Sequence, residues 1–187
     1  MRLYALCDQD MLDTKGIRVD TFVDKALEHK AEIIQYRAKN ADIASIKKEL
    51  IAIRKKFDGF LIVNDAYELI EFCDGVHVGQ EDLHAIDTNS TKAVKILRDV
   101  IGSDKILGLS THNKEEVLEA NSLDLNYIGL GAYRNTTTKK DVSHVLGEEL
   151  DTIAHYSNHY VAAIGGVKMT DQFKNITYHV IGSGLLS

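Results

Sequence analysis

The sequence predicts an α/β fold: a compact (β/α)8 (TIM) barrel, one domain over residues 1–187, with a truncated or missing last helix. Three observations predict it. Eight short β-like runs, at 2–7, 32–37, 60–64, 75–78, 105–109, 127–130, 160–164 and 178–181, span the chain from end to end. Amphipathic helical patterns fill the intervals. No linker, internal repeat or low-complexity segment breaks the alternation. A doubly wound open sheet is the alternative topology for such a pattern. At 187 residues the chain is short for a barrel, where about 200 is the usual floor, so the helices must be short.

The first run ends in charge at Asp8, too soon for a secretory signal. The second carries Gln35, Arg37 and Lys39 two residues apart, so a strand's period of two turns all three to one face, while Ile34 and Tyr36 turn to the other. A strand covered on both faces can place such charges only at its C-terminal mouth, where they can meet an anionic ligand; an edge strand with solvated charges is the bland alternative. Asp42 stands as a cap before a helix whose apolar face is Ile43, Ile46, Leu50, Ile53 and Phe57. The third strand ends at Asn64-Asp65, and Asp82 follows the fourth by four residues. Carboxylates beyond neighbouring strands can share a hard cation such as Mg²⁺, though aspartate before a helix also serves as a cap.

Ser90 stands at the start of the helix marked by Val94, Leu97 and Ile101. His77 shares the parity of Gly75 and Gly79, which suits a buried structural histidine better than a catalytic one. Ser110-Thr111-His112 closes the fifth run, with His112 near the mouth or capping a helix. After the sixth comes Thr136-Thr137-Thr138-Lys139-Lys140, hydroxyls and ammonium groups suited to an oxygen-rich anion or simply to solvent. The seventh interval offers a helix only at 170–175, and almost nothing follows the eighth run. Gly165-Gly166 and Gly182 end the last two runs, where backbone N–H groups of this fold commonly hold phosphate.

A net charge of −6 argues against nucleic acid as the main partner, because phosphate backbones select basic surfaces. No apolar run approaches the ~20 residues that span a bilayer, so no membrane association is expected. Cys7 and Cys73 make neither a CxxC pair nor a disulfide framework, which fits reduced thiols and a cytoplasmic protein. Neither a Ser-His-Asp order nor zinc-type spacing is present.

The segments Gln35-Tyr36-Arg37-Ala38-Lys39, Asn64-Asp65, the run from Asp74 through Asp82, Ser110-Thr111-His112, Gly131 through Lys139 and Ile164-Gly165-Gly166 occur in this order. In them the chain resembles the thiamine-phosphate synthase family, within the synthase/thiazole tautomerase superfamily. That resemblance implies a transferase joining hydroxymethylpyrimidine diphosphate to thiazole phosphate with loss of pyrophosphate. It implies that Gln35, Arg37, Lys39, Asn64, Ser110 and Lys139 hold the diphosphate substrate, that Tyr36, Ala38 and Thr137 are also substrate-binding, and that Arg37, Lys39, Ser110 and Lys139 are catalytic. Asp65 and Asp82 would ligate Mg²⁺, and Thr136, Thr138, Gly166, Ile181 and Gly182 would hold the thiazole phosphate.

Two departures stand out. The family's strand-six loop carries two prolines and an aromatic; here it reads Ala132-Tyr133-Arg134-Asn135, in a chain with no proline at all. The second is an expected last helix that is absent or vestigial, which leaves that flank thin or covered by a partner copy, a homo-oligomer being the expected remedy. Tautomerase relatives carry histidine where this chain has Ala132, and commonly lack the full set of diphosphate and Mg²⁺ residues, of which this chain keeps Asn64, Asp65 and Asp82. A barrel that binds phosphorylated ligands without turnover is the third reading.

Overall fold

The computed structural model describes residues 1–135 and 145–186. Eight parallel strands close into a barrel in chain order: β1 (Arg2–Asp8), β2 (Ile33–Arg37), β3 (Phe60–Asn64), β4 (Gly75–Val78), β5 (Ile106–Thr111), β6 (Tyr127–Leu130), β7 (Tyr160–Ala163) and β8 (Tyr178–Ile181). The seam is a parallel pairing of β1 with β8, Arg2 opposite Tyr178 and Ala5 opposite Ile181. The open-sheet alternative is thereby excluded.

Around the barrel lie α1 (Gln9–Lys15), α2 (Val19–Glu28), α3 (Ile43–Arg54), α4 (Gln80–Ile86), α5 (Ser90–Ile101), α6 (Lys114–Ala120) and α7 (Glu149–Ala154). Economy of length is real: α4 and α6 have 7 residues each, α7 has 6, and a 3₁₀ turn, Tyr67–Phe72, replaces a helix between β3 and β4. Asp42 caps α3 by accepting from the Ser45 N–H at 2.7 Å. For α5 the cap is Asn89, one residue before Ser90, whose side chain accepts from the Lys92 N–H at 3.0 Å.

The helix expected at 170–175 is not formed. Residues 164–177 cross from β7 to β8 without regular structure, because α7 already uses their donors: Asp151 Oδ1 accepts from the N–H groups of Lys174 at 3.0 Å and Asn175 at 2.9 Å. Met169, Phe173 and Ile176 of this crossing pack against the core, and so cover part of the flank that a helix would cover. After β8 the described residues form a 3₁₀ turn, Ser183–Leu185, with Leu185 buried.

Strand period divides the apolar residues into two sets. Tyr4, Leu6, Ile33, Ile62, Tyr127, Tyr178 and Val180 fill the barrel, while Ala5, Ile34, Tyr36, Leu61, Val63, Val76 and Leu107 meet the helices. Both cysteines are free and buried in the helix-facing set. No helix among the described residues is long and apolar enough to cross a membrane.

Candidate active site

The strands' C-terminal ends surround a cavity of about 200 Å³. From β2 and its exit it receives Gln35, Arg37 and Lys39, the three that share strand parity. Tyr36 and Ala38 have the opposite parity: their side chains lie in the helix-facing core, and the Tyr36 hydroxyl donates to Gln9 Oε1 at 2.8 Å. Their side chains therefore do not line the cavity, a correction to the expectation drawn from that segment as a whole. Asn64, Asp65, Asp82 and Ser110 line the same cavity, as do Gly166, Ile181 and Gly182 across the mouth. Thr136, Thr137, Thr138 and Lys139 lie outside the described residues.

Asp8 was not among the sequence candidates. It ends β1 directly opposite Arg37 in register, only 1% exposed, and its carboxylate pairs with the Arg37 guanidinium. The other Asp8 oxygen accepts from the Met11 N–H at 2.9 Å, so one carboxylate both caps α1 and aims the arginine. A signal was present in the sequence, a charged residue at the end of a barrel strand, but its partner becomes visible only with the β1–β2 register.

Asp65 sits just past β3 with φ 61°, a left-handed conformation uncommon for a side-chain-bearing residue and frequent at functional sites. Burial pushes its carboxyl up to about 6, Asp82's charge adds to the rise, and Lys39 and Arg37 oppose it. The Asn64 amide donates to it. Neither aspartate acts as a cap: the residues preceding the two local helical turns are Ala66 and Gly79, without side-chain capping bonds, and Asp82 lies within the first turn of α4. Two mutually repelling carboxylates with oxygen-only donors fit a hard cation that neutralises both. No group of three or more acidic, histidine or cysteine residues suited to a metal occurs among the described residues, so such an ion would take its remaining ligands from substrate and water.

His77 reaches inward from β4, with Nδ1 2.9 Å from the Tyr127 hydroxyl and Nε2 3.0 Å from Ser110 Oγ. Gln80 donates to the Ser110 carbonyl at 2.7 Å and holds the end of β5. His112 lines the cavity, its Nδ1 3.0 Å from Glu116 Oε2; the cap of α6 is Asn113.

On the far side, Gly165 and Gly166 have φ 85° and 67°, open to glycine and strained for other residues. The strand-six loop seats directly on them. Tyr133 N–H donates to the Ile164 carbonyl at 2.8 Å and Arg134 N–H to the Gly165 carbonyl at 2.7 Å. The Arg134 side chain donates to the Gly166 carbonyl at 2.9 Å and forks onto Asp171 at 2.6 and 2.8 Å. Asp171 in turn accepts from the Lys168 N–H at 2.8 Å. The arginine that departs from the family's loop pattern thus ties this loop to the glycine turn.

Fold and site together define a (β/α)8 barrel whose mouth sets cationic and carboxylate side chains facing a glycine turn. Comparison with known proteins narrows the class. The family model described as thiamine monophosphate synthase matches residues 3–182. The thiamine-phosphate synthase of Persephonella marina is 36% identical over 182 residues, 93% of this chain and 82% of that one. That of Clostridium tetani is 32% identical over 190 residues, 99% of this chain and 86% of that one. Among solved structures, a thiamine phosphate pyrophosphorylase from Pyrococcus furiosus has TM-score 0.72 at 26% identity, covering 97% of this chain and 85% of that one. A mutant tryptophan synthase α-subunit from the same organism, TM-score 0.61 at 12% identity over 98% of this chain and 87% of that one, shares the fold alone. The chain belongs to the thiamine monophosphate synthase family.

Proposed function

We propose that this chain is an Mg²⁺-dependent transferase that joins hydroxymethylpyrimidine diphosphate to thiazole phosphate, giving thiamine phosphate and pyrophosphate. The observation that carries the reading is the pairing of opposite chemistries across one cavity: Arg37, Lys39, Asp65 and Asp82 on one side, the Gly165–Gly166 turn on the other. In this reading Asp65 and Asp82 would hold Mg²⁺, which when bound would supply charge neutralisation for the diphosphate.

The bond that breaks joins the pyrimidine's methylene carbon to the diphosphate oxygen, which keeps the electron pair. The bond that forms uses the lone pair of the thiazole nitrogen, and the pyrimidine's amino group stabilises the cation between the two events. No protein nucleophile is needed. As the C–O bond lengthens, charge accumulates on the leaving oxygens, so Arg37, held by Asp8, and Lys39 bind the transition state more tightly than the ground state. N–H groups at the glycine turn hold the second phosphate and fix the thiazole nitrogen near the methylene carbon. Both substrates are small molecules, and a homo-oligomer working in the cytoplasm is part of the same proposal. The tautomerase reading finds no favouring residue, since Ala132 offers no proton-transferring group.

The test is pyrophosphate release when both substrates and Mg²⁺ are mixed with the protein. Release that needs all three supports the transferase. Binding of both ligands without release makes the chain a non-catalytic barrel.

A further inference from the structure

His112 follows the last residue of β5 and lines the cavity, yet neither substrate assignment gives it a task. Its carboxylate partner is held from several directions. Glu116 Oε2 accepts from the His112 N–H at 2.8 Å and lies 3.0 Å from the ring's Nδ1, while Oε1 accepts from Asn113 Nδ2 at 3.0 Å. Burial works to raise the Glu116 carboxyl, but the hydrogen bonds and charge of His112 outweigh it and hold the group below its usual range. A carboxylate only accepts, so Nδ1 carries a proton. The ring's second nitrogen, Nε2, has no hydrogen-bond partner among the described residues. Capping of α6 accounts for Asn113 and for the bond from the His112 N–H, but it asks for no imidazole.

The other ionisable groups around the cavity have partners or tasks of their own. Asp8 is paired with Arg37, and a guanidinium does not release its proton. Asp65 and Asp82 are the proposed cation ligands, and the charge of Lys39 acts on Asp65. His77 has both ring nitrogens engaged, Nδ1 2.9 Å from the Tyr127 hydroxyl and Nε2 3.0 Å from Ser110 Oγ. Tyr127 is itself fixed, its hydroxyl 2.7 Å from that of Tyr4 and its ring seated over Gly108, where a Cβ would lie 2.2 Å away. Among the described residues, only His112 brings to the mouth an imidazole, the side chain best suited to proton transfer, with a nitrogen left unengaged.

We propose that His112 is a general acid for departure of the diphosphate, with Glu116 as the positioning residue that holds its ring. The assignment rests on the transferase reading above. As the bond from the methylene carbon to the diphosphate oxygen breaks, the oxygen keeps the electron pair and takes the Nε2 proton. The ring is left neutral, with its remaining proton on Nδ1 toward Glu116, and pyrophosphate departs carrying the transferred proton. A proton from solvent then restores Nε2. The carboxylate at Nδ1 stabilises the imidazolium and keeps its orientation between turnovers. His112 leaves the barrel on β5 and Asp82 follows β4, its neighbour in the sheet, so the acid and a proposed Mg²⁺ ligand flank one part of the mouth. Positive charge at Arg37 and Lys39 is spread over the diphosphate, whereas the acid acts on the single oxygen whose bond breaks.

The test measures turnover against pH, with thiazole phosphate present, for the wild type and His112→Gln. Two pyrimidinylmethyl esters are compared, the diphosphate and the methylenebisphosphonate, whose leaving oxygen is the more basic. Glutamine keeps a polar side chain and the backbone bond to Glu116 but transfers no proton. On the diphosphate, His112→Gln lowers kcat roughly 10²-fold with melting temperature unchanged. The wild type's decline on the alkaline side, where the ring loses its proton, disappears in the variant. On the methylenebisphosphonate the loss is about tenfold larger again, because a more basic oxygen gains more from an acid. Unchanged turnover, a surviving alkaline decline or equal losses on the two esters overturns the assignment and leaves His112 as the residue before a helix cap. Should His112→Gln fold poorly, Glu116→Gln keeps a capping side chain and moves the alkaline decline to lower pH, since the imidazolium loses its carboxylate. An unmoved decline there overturns the assignment equally. A wild type that releases neither leaving group sinks the transferase reading and the general acid together, whereas release that is the same in wild type and variants sinks the acid alone.

Discussion

On the β1–β5 side of the mouth, the Arg37 guanidinium stands on a buried carboxylate, whereas on the β6–β8 side a glycine turn is tied down by a more exposed ion pair. Arg37 and Asp8 are 15% and 1% exposed, against 40% and 11% for Arg134 and Asp171. In the proposed reaction the two sides have different tasks. A leaving diphosphate gains charge during the reaction, and groups that stabilise it must already be oriented, because reorientation would consume the benefit. A phosphate that is only an anchor keeps its charge throughout, and backbone N–H groups suffice. The first side should therefore govern kcat and the second the KM for the thiazole substrate.

The largest effect is expected at Asp82. Asp82→Ala should lower kcat by roughly 10²–10³, as for loss of one preorganised electrostatic element, and remove Mg²⁺ dependence while circular dichroism stays unchanged. Retained Mg²⁺-dependent turnover would place the ion elsewhere and dissolve the contrast between the two sides.

Next is Asp8→Ala, which leaves the Arg37 guanidinium without its buried partner and α1 without its cap. A loss of about 3 kcal/mol in urea unfolding is expected, together with a fall in kcat. If only stability changed, Asp8 would be a helix cap and nothing more.

A pH series gives an intermediate effect. Asp65 is pushed up to about 6, chiefly by burial and secondly by Asp82. A carboxyl whose pKa is higher folded than unfolded favours the fold while protonated, and that advantage is lost as pH rises from about 4 through 6. Melting temperature of the ligand-free protein should fall over this window, and Asp65→Asn should flatten the fall. Cation binding, which needs the carboxylate, should tighten about tenfold between pH 5 and 7. Affinity independent of pH would mean that Asp65 is not a ligand.

Smallest is Arg134→Ala. Exposed pairs contribute ~1 kcal/mol or less, so the KM for thiazole phosphate should rise no more than about fivefold, with kcat and the diphosphate KM unmoved. Equal changes in both KM values would show that the two sides are not independent.

Strand order was legible because a barrel strand advertises itself twice, by a short apolar run and by the residues at its C-terminal end; β3, β4, β6 and β8 begin and end at the residues expected. What stayed hidden depends on partners distant in sequence. Tyr4 and Tyr127 read as ordinary strand aromatics until the closed barrel brings their hydroxyls together, 123 positions apart in the chain. Asp8 needed the β1–β2 register. Tyr36 and Ala38 were separable from their neighbours by parity alone, which a motif taken as a block obscures. The segment at 170–175 reads as helical locally, but Asp151, on another element, takes up the N–H groups of Lys174 and Asn175.

The bare backbone of Gly108 under the Tyr127 ring also bears on how this lineage can drift. A methyl group at 108 would collide with the ring, whereas a smaller residue at 127 would open the space that such a methyl could fill. Neither position can change comfortably alone, so acceptable routes of divergence pass through paired replacements. Any library that randomises the two sites together should recover large-with-glycine or small-with-alanine combinations and few others.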